Sequence, residues 1–244
     1  MVCLSDMKIH ILTIFPDFFS SPLETSILKK AIDNMAVSVH IYDIRAFTTD
    51  KHNQVDDYPY GGGPGMIMKP EPVFRCIEHV LSSIDENESK KLIFLTPQGE
   101  QYNQKTAQEL VHIENLIFLC GHYKGIDERI REFFEMSEIS LGDFVMSGGE
   151  FPAIAIIDSI VRLLPGVISD INSATTDSFY DDNLLDCPQY TRPEEYRGMK
   201  VPSILLSGHH AEIAKWRKKK SLERTLKYRK DLLSNEDLEE LNDE

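Results

Sequence analysis

Three segments rich in Gly and Pro carry the chemistry visible in this 244-residue sequence: Thr96-Pro97-Gln98-Gly99, Cys120 to Gly125 (CGHYKG) and Leu141 to Glu150 (LGDFVMSGGE). Each follows a predicted strand directly. On neighbouring strands of one sheet they would line a pocket with main-chain donors and acceptors. Such a pocket suits a neutral, hydrogen-bonding ligand such as an adenosine derivative. Lys124 is the one basic residue among these turns, which disfavours a triphosphate. A fourth segment, Tyr60 to Met66 (YGGGPGM), is no phosphate loop, because no Gly-Lys-Ser/Thr follows. It is no dinucleotide fingerprint either, because Met66 stands where the last Gly would be. Gly-Pro clusters are commonly plain turns. Four glycines in five positions also suit backbone brought close to a ligand or a second chain.

The charged candidates are few. Arg162 lies in an apolar helical stretch, where an unpaired guanidinium is costly; the bland alternative is a helix-end residue that pairs or snorkels. Asp177 and the pair Asp181 and Asp182 fall in a polar, aperiodic stretch, where carboxylates are usually just solvated. His209 and His210 are adjacent and point in different directions at a helix start, so they make a poor metal pair. Cys3, Cys76, Cys120 and Cys187 contain no CxxC, which excludes a thiolate zinc site and reads as reduced thiols in a cytoplasm.

The elements that must hold these residues alternate. Lys8–Ile14, Val37–Tyr42, Leu92–Leu95, Leu116–Cys120 and Ser137–Leu141 read as strands. Pro22–Met35, Glu71–Ile84, Asn103–Val111, Ile126–Phe134 and Glu150–Leu164 read as helices. Arg45 to Gly65 is turn-rich. This alternation predicts an α/β fold, a mainly parallel sheet covered on both faces, with ligands beyond the C-terminal strand ends. The pattern breaks at Asp170 to Asp182 and resumes as a helical, basic segment from Ala211. We therefore expect an α/β domain over 1–168, a linker over 169–182 and a small helical C-terminal domain over 183–244.

Net charge is −14, from 26 Lys+Arg against 40 Asp+Glu, which at first argues against a polyanionic partner. The charge is uneven. Ala211 to Lys230 holds nine Lys/Arg against Glu212 and Glu223, a net +7, leaving −21 on the remainder. That run is a solvated helix face or a phosphate-binding surface, and composition does not choose. No stretch approaches the ~20 apolar residues of a membrane helix, and Met1 to Met7 lacks the basic-then-apolar pattern of a secretory signal.

Taken together, the motifs resemble the bacterial tRNA (guanine-N1)-methyltransferase (TrmD) family of the SPOUT, or trefoil-knot, class. The resemblance runs over nearly the whole chain: IFPDFF from Ile14, PYGGGPGM from Pro59, LTPQG from Leu95, CGHYKGIDER from Cys120, LGDFVMSGGE from Leu141, LLDCPQYTRP from Leu184 and SGHHAEIAKWR from Ser207. It implies a deep trefoil knot and S-adenosylmethionine bound by Thr96, Pro97, Gly121, Leu141, Gly142, Asp143, Phe144, Val145, Met146, Gly148, Gly149 and Pro152. It also implies methylation of N1 of the guanosine 3′ of the anticodon, position 37, with Asp177 as general base and Arg162 stabilising O6. The same resemblance implies a homodimer with a shared active site. Contacts to tRNA are expected at Ser173, His209, Lys215, Arg217, Lys218, Lys219 and Lys220.

The chain departs from the family in places. His122 and Lys124 stand where members often have Arg and a Glu tied to magnesium. Lys124 reverses that charge, so any Mg2+ requirement rests on Asp177 and the substrate. Gln189 replaces a usual His, a change of small expected effect. Three other readings are a SPOUT methyltransferase with a different RNA target, a non-catalytic RNA-binding module and a nucleotide-dependent enzyme. The two C-terminal motifs oppose the first, Arg162 and Asp177 with an intact cofactor motif oppose the second, and the missing Lys-Ser/Thr opposes the third.

Overall fold

The computed structural model describes residues 7–168, 176–180 and 183–242, without the side chains of Glu240 and Asn242. The chain divides into two compact units, Met1–Ile171 and Asn172–Glu244.

The first unit is built on five strands: β1 (Met7–Thr13), β2 (Val37–Asp43), the longer strand Lys90–Gln101, then Asn115–Leu119 and Ser137–Ser140. A small antiparallel pair, β3 (Asp56–Asp57) with β4 (Ile67–Met68), sits between them in sequence, so the last three strands of the large sheet are β5, β6 and β7. The order is β2-β1-β6-β5-β7 and every pairing is parallel, as the alternation predicts. Helices cover the sheet: α1 (Ser20–Leu23), α2 (Ser26–Asp33), α3 (Pro70–Ser83), α4 (Gln104–Leu110), α5 (Glu128–Phe133) and α6 (Glu150–Val161). On one face α3 buries Val73, Cys76, Ile77 and Val80 against Leu12, Phe94, Ile117 and Leu119. Sheet residues buried from both sides explain why all five residues of β6 are buried.

Two elements differ from the sequence reading. The helix expected over Pro22–Met35 is broken into α1 and α2. Thr25 Oγ1 donates to the carbonyls of Ser21 (3.1 Å) and Pro22 (3.2 Å), which ends α1, and Ser26 restarts the helix at φ +50°. The strand expected to end at Leu95 continues to Gln101. Ile139 of β7 is the partner of both Leu95 and Glu100, so Thr96–Gly99 is a bulge within β5 and not a terminal loop. Gly99 passes so close to the backbone of Glu138 and Ile139 that a Cβ there would collide.

His10 is a buried polar residue in β1, 4% exposed. Its Nε2 donates to Asn115 Oδ1 and its Nδ1 accepts from Tyr42 Oη, both at 3.3 Å. Burial holds its pKa below the ordinary 6.5, against the opposing Asn115 bond. A base whose folded pKa is depressed stabilises fully above its unfolded value and loses that contribution as pH falls through the folded one. The melting temperature should therefore begin to fall as pH drops below 6.5. His10→Gln should flatten that limb in a pH series of thermal melts; an equal slope in both proteins would contradict it.

The second unit contains the hairpin β8 (Glu195–Tyr196) and β9 (Met199–Lys200), α7 (His210–Tyr228) and α8 (Asn235–Asn242). In α7 only Leu222 and Thr225 are buried, among 19 residues. Its inner face holds the strand-like segment before the hairpin by polar bonds. Thr225 Oγ1 accepts from Leu185 N (2.9 Å), Ser221 Oγ donates to the Leu185 carbonyl, and Arg224 Nη1 donates to the Asp186 carbonyl (3.0 Å).

Candidate active site

The three Gly- and Pro-rich segments converge. A cavity of about 380 Å³ opens where β5, β6 and β7 end, lined by the Thr96–Gly99 bulge, the turn after Cys120 and the turn after Ser140. Every residue assigned to the cofactor lines it except Asp143, whose side chain is exposed. The expectation of three segments on neighbouring strands holds, with the first as a bulge. Leu95, Gln98, Tyr123, Lys124, Arg131 and Ile139 also line the cavity and were not singled out in the sequence.

The walls are tied to one another. Gly149 N donates to the Gly121 carbonyl at 3.0 Å, and His122 bridges Gly148 in antiparallel fashion. Behind them lies a buried polar chain that the motifs did not announce. His122 Nε2 meets Glu150 Oε2 at 2.6 Å, and Thr13 Oγ1 donates to Glu150 Oε1 at 2.6 Å. Glu150, 3% exposed, is thus bonded through both oxygens. Burial raises its pKa, and the bonds from His122 and Thr13 more than offset this, leaving it below the ordinary carboxylate value. The one sequence signal was an acid opening an otherwise apolar helix.

The glycines leave room that other residues would fill. A Cβ at Gly148 would overlap the His122 ring, and at Gly149 it would come within 2.7 Å of Cys120 Cα. Arg131 lies over the Phe94 ring at 5.0 Å, and Phe94 in turn packs where a Gly121 side chain would point. The cavity is a backbone-lined slot with apolar walls, the shape expected for an adenosine moiety.

The loop Tyr60–Met66 leans on the same wall. Lys124 N donates to the Met66 carbonyl at 3.0 Å, and the Lys124 stem lies against Gly65 at φ +94°. Tyr60 is fully exposed.

The remaining candidates fall elsewhere. Arg162 is the partly buried C-cap of α6, its N–H donating to the Asp158 carbonyl at 3.1 Å. Asp177 belongs to the second unit, where it lines a pocket of about 370 Å³ with Leu185, Asp186, Cys187, Gln189, Arg217 and Lys218. His209 is the N-cap of α7, and Lys215, Arg217, Lys218, Lys219 and Lys220 lie along it. Lys215 pairs with Glu212 (3.1 Å) and Lys220 with Glu223 (2.6 Å). Ser173, Asp181, Asp182 and Cys3 lie outside the described residues. Cys76, Cys120 and Cys187 are free and buried. Among the described residues no group of three or more His, Cys, Asp or Glu could hold a metal ion, and no helix is long and apolar enough to cross a membrane.

The family model for tRNA (Guanine-1)-methyltransferase TrmD matches residues 7–235. The chain belongs to the TrmD family. Curated relatives named tRNA (guanine-N(1)-)-methyltransferase agree. The Geobacillus kaustophilus protein is 53% identical over 227 residues, covering 93% of this chain and 91% of the relative. That of Listeria monocytogenes is 51% identical over 229 residues, covering 94% and 93%. The Desulforamulus reducens protein is 49% identical over 232 residues, covering 95% and 91%. The matched span of this TrmD-family chain takes in the backbone-lined cavity, the helix ending in Arg162 and the pocket around Asp177.

Proposed function

We propose that this chain transfers a methyl group from S-adenosylmethionine to N1 of the guanosine 3′ of the anticodon, position 37, in tRNA. The observation that carries the reading is the convergence of Thr96–Gly99, Gly121 and Leu141–Gly149 on one backbone-lined cavity, in a chain about half identical to curated tRNA (guanine-N(1)-)-methyltransferases. The adenosine part fits the slot that a Cβ at Gly121, Gly148 or Gly149 would fill. When bound, S-adenosylmethionine supplies an electrophilic methyl on its sulfonium sulfur.

The protein's part follows from guanine chemistry. N1 carries a proton at neutral pH and is a poor nucleophile. Asp177 takes that proton as the N1–methyl bond forms, and the negative charge that builds on O6 is met by Arg162. Residues 1–168 form the SPOUT domain with its trefoil knot, 169–182 the linker that carries the base, and 183–244 the tRNA-binding domain. Two copies pair, the linker and C-terminal domain of one completing the cofactor pocket of the other. A cytoplasmic location suits the substrate. Magnesium has no carboxylate to bind in the first cavity, whose charged lining residues are Lys124 and Arg131 beside His122. Any Mg2+ requirement rests on Asp177 and the substrate.

Methyl transfer to transcripts differing only at position 37 tests the reading. Transfer to the G37 form and none to the A37 form is expected; equal transfer favours a SPOUT methyltransferase acting at another RNA site.

The basic face of α7 grips phosphate in this account, with Ser173, His209, Lys215 and Arg217 beside Lys218, Lys219 and Lys220. Binding of tRNA should fall linearly in log–log plots against salt. Replacing Lys218, Lys219 and Lys220 with Ala should reduce the slope by roughly 0.7–0.9 for each phosphate no longer neutralised. An unchanged slope would remove α7 from the interface.

A further inference from the structure

We propose that the second unit holds the nucleotide adjoining the methylated guanosine in a pocket of its own, divided from the Asp177 pocket by Gln189 and Arg217. The proposal rests on the reading of Asp177 as the base that acts on guanine.

Two pockets lie side by side within this unit. One holds Asp177 and has a volume of about 370 Å³. The other, of about 450 Å³, is lined by Tyr190, Arg192, His210 and Arg217 over an apolar floor that includes Val201 and Ile213. Ligand sites typically span roughly 300–1,000 Å³, so either can take a nucleotide. Gln189 and Arg217 line both. These are the two motifs LLDCPQYTRP and SGHHAEIAKWR brought together, for which the first cavity gives no role.

The divider is fixed. Gln189 Nε2 donates to Asp186 Oδ2 at 2.9 Å, and Asp186 N is in turn held by Ser178 Oγ at 2.9 Å. Arg217 stands on α7, one turn before Ser221 and two before Arg224, which bind the Leu185–Asp186 backbone. Among the described residues, no carboxylate lies within ion-pair distance of Arg217 or Arg192. A guanidinium without a carboxylate partner on a wall between two base-sized pockets matches the one phosphodiester that links consecutive nucleosides.

The second pocket has what an unstacked base requires. Tyr190 is 49% exposed, and its ring is backed by Trp216 at a centroid distance of 6.4 Å. Bases splayed from RNA loops stack on such rings, and Arg192 and His210 add donors for base edges or phosphate. Glu194 is the single acid among the lining residues. A dinucleotide step therefore spans the divider, with guanine on the Asp177 side, the neighbouring base on Tyr190 and the phosphate at Arg217.

The test uses the full-length protein and three RNA stem–loops: intact, abasic on the 5′ side of the target guanosine, and abasic on its 3′ side. The half-saturating RNA concentration and the saturating rate of N1-methylguanosine formation are read under single turnover. With wild-type protein, one of the two abasic RNAs should raise the half-saturating concentration roughly 10-fold. Tyr190→Ala should raise it by a similar factor with intact RNA and show no further rise with that abasic RNA. Tyr190→Phe should restore wild-type behaviour, and the saturating rate should not change. Multiplying penalties, or an unchanged value for Tyr190→Ala, would overturn the neighbour pocket while the methylation reading stands. Absence of N1-methylguanosine from every RNA would overturn that reading and this inference with it.

Discussion

Asp177→Ala should slow methyl transfer by roughly 10²–10⁴-fold, the usual contribution of a positioned general base. The loss should lie in the chemical step. Asp177 is exposed in its own unit and lines a pocket with Arg217, Lys218 and Ser221, which gives it access to substrate without a burden of burial. It contributes nothing to the backbone-lined cavity's own walls. Single-turnover rates at saturating tRNA and cofactor would measure the loss. Asp177→Asn preserves shape and removes only the proton acceptor, so it should be impaired by a comparable factor. Near-full turnover in either variant would remove Asp177 from the chemistry.

Arg162→Ala should lower turnover by roughly 10²–10³-fold, the range for removing one group that stabilises a developing oxyanion. Binding of S-adenosylmethionine alone should survive, because Arg162 is not among the residues lining the cavity. Arg162 caps the C-terminal end of α6, where a cation also meets the negative end of the helix dipole. Loss of that interaction costs about 0.3–1 kcal/mol, small beside the catalytic effect. Arg162→Lys keeps the charge and loses the planar donor fork, so partial rescue would separate charge from geometry. Calorimetry with cofactor alone, beside turnover, makes the distinction. Loss of cofactor binding would make Arg162 part of the pocket instead.

The parts of this fold legible in the sequence were those written locally. Apolar runs such as Leu116–Cys120 located β6 within a residue at each end, and strand–helix alternation indicated a parallel sheet. The Thr96–Gly99 bulge was not legible. Glu100 and Gln101 return to β7 through backbone pairing with Ile139 and Ser140, and no side-chain pattern encodes that. His10 and Thr13 made β1 look alternating, yet both are buried, because Asn115, Tyr42 and Glu150 on other elements satisfy them.

The candidate site divides in the same way. Glycines at strand ends marked the cavity because close backbone approach selects Gly wherever it occurs. The His122–Glu150–Thr13 chain joins residues 137 positions apart, so spacing could not reveal it. Gln189 looks in sequence like a minor departure, and it forms the divider between two pockets with Arg217. The basic run of α7 was legible as charge. Its docking on Leu185 and Asp186, through Ser221, Arg224 and Thr225, was not.

The central claim is that a proton leaves N1 of one guanine as that nitrogen takes the methyl. Its most direct test is nucleoside analysis of a G37 tRNA transcript methylated with labelled S-adenosylmethionine. The account predicts that all label elutes as N1-methylguanosine and maps to position 37. Label in N2-methylguanosine, in a ribose-methylated nucleoside or at another guanosine would contradict it.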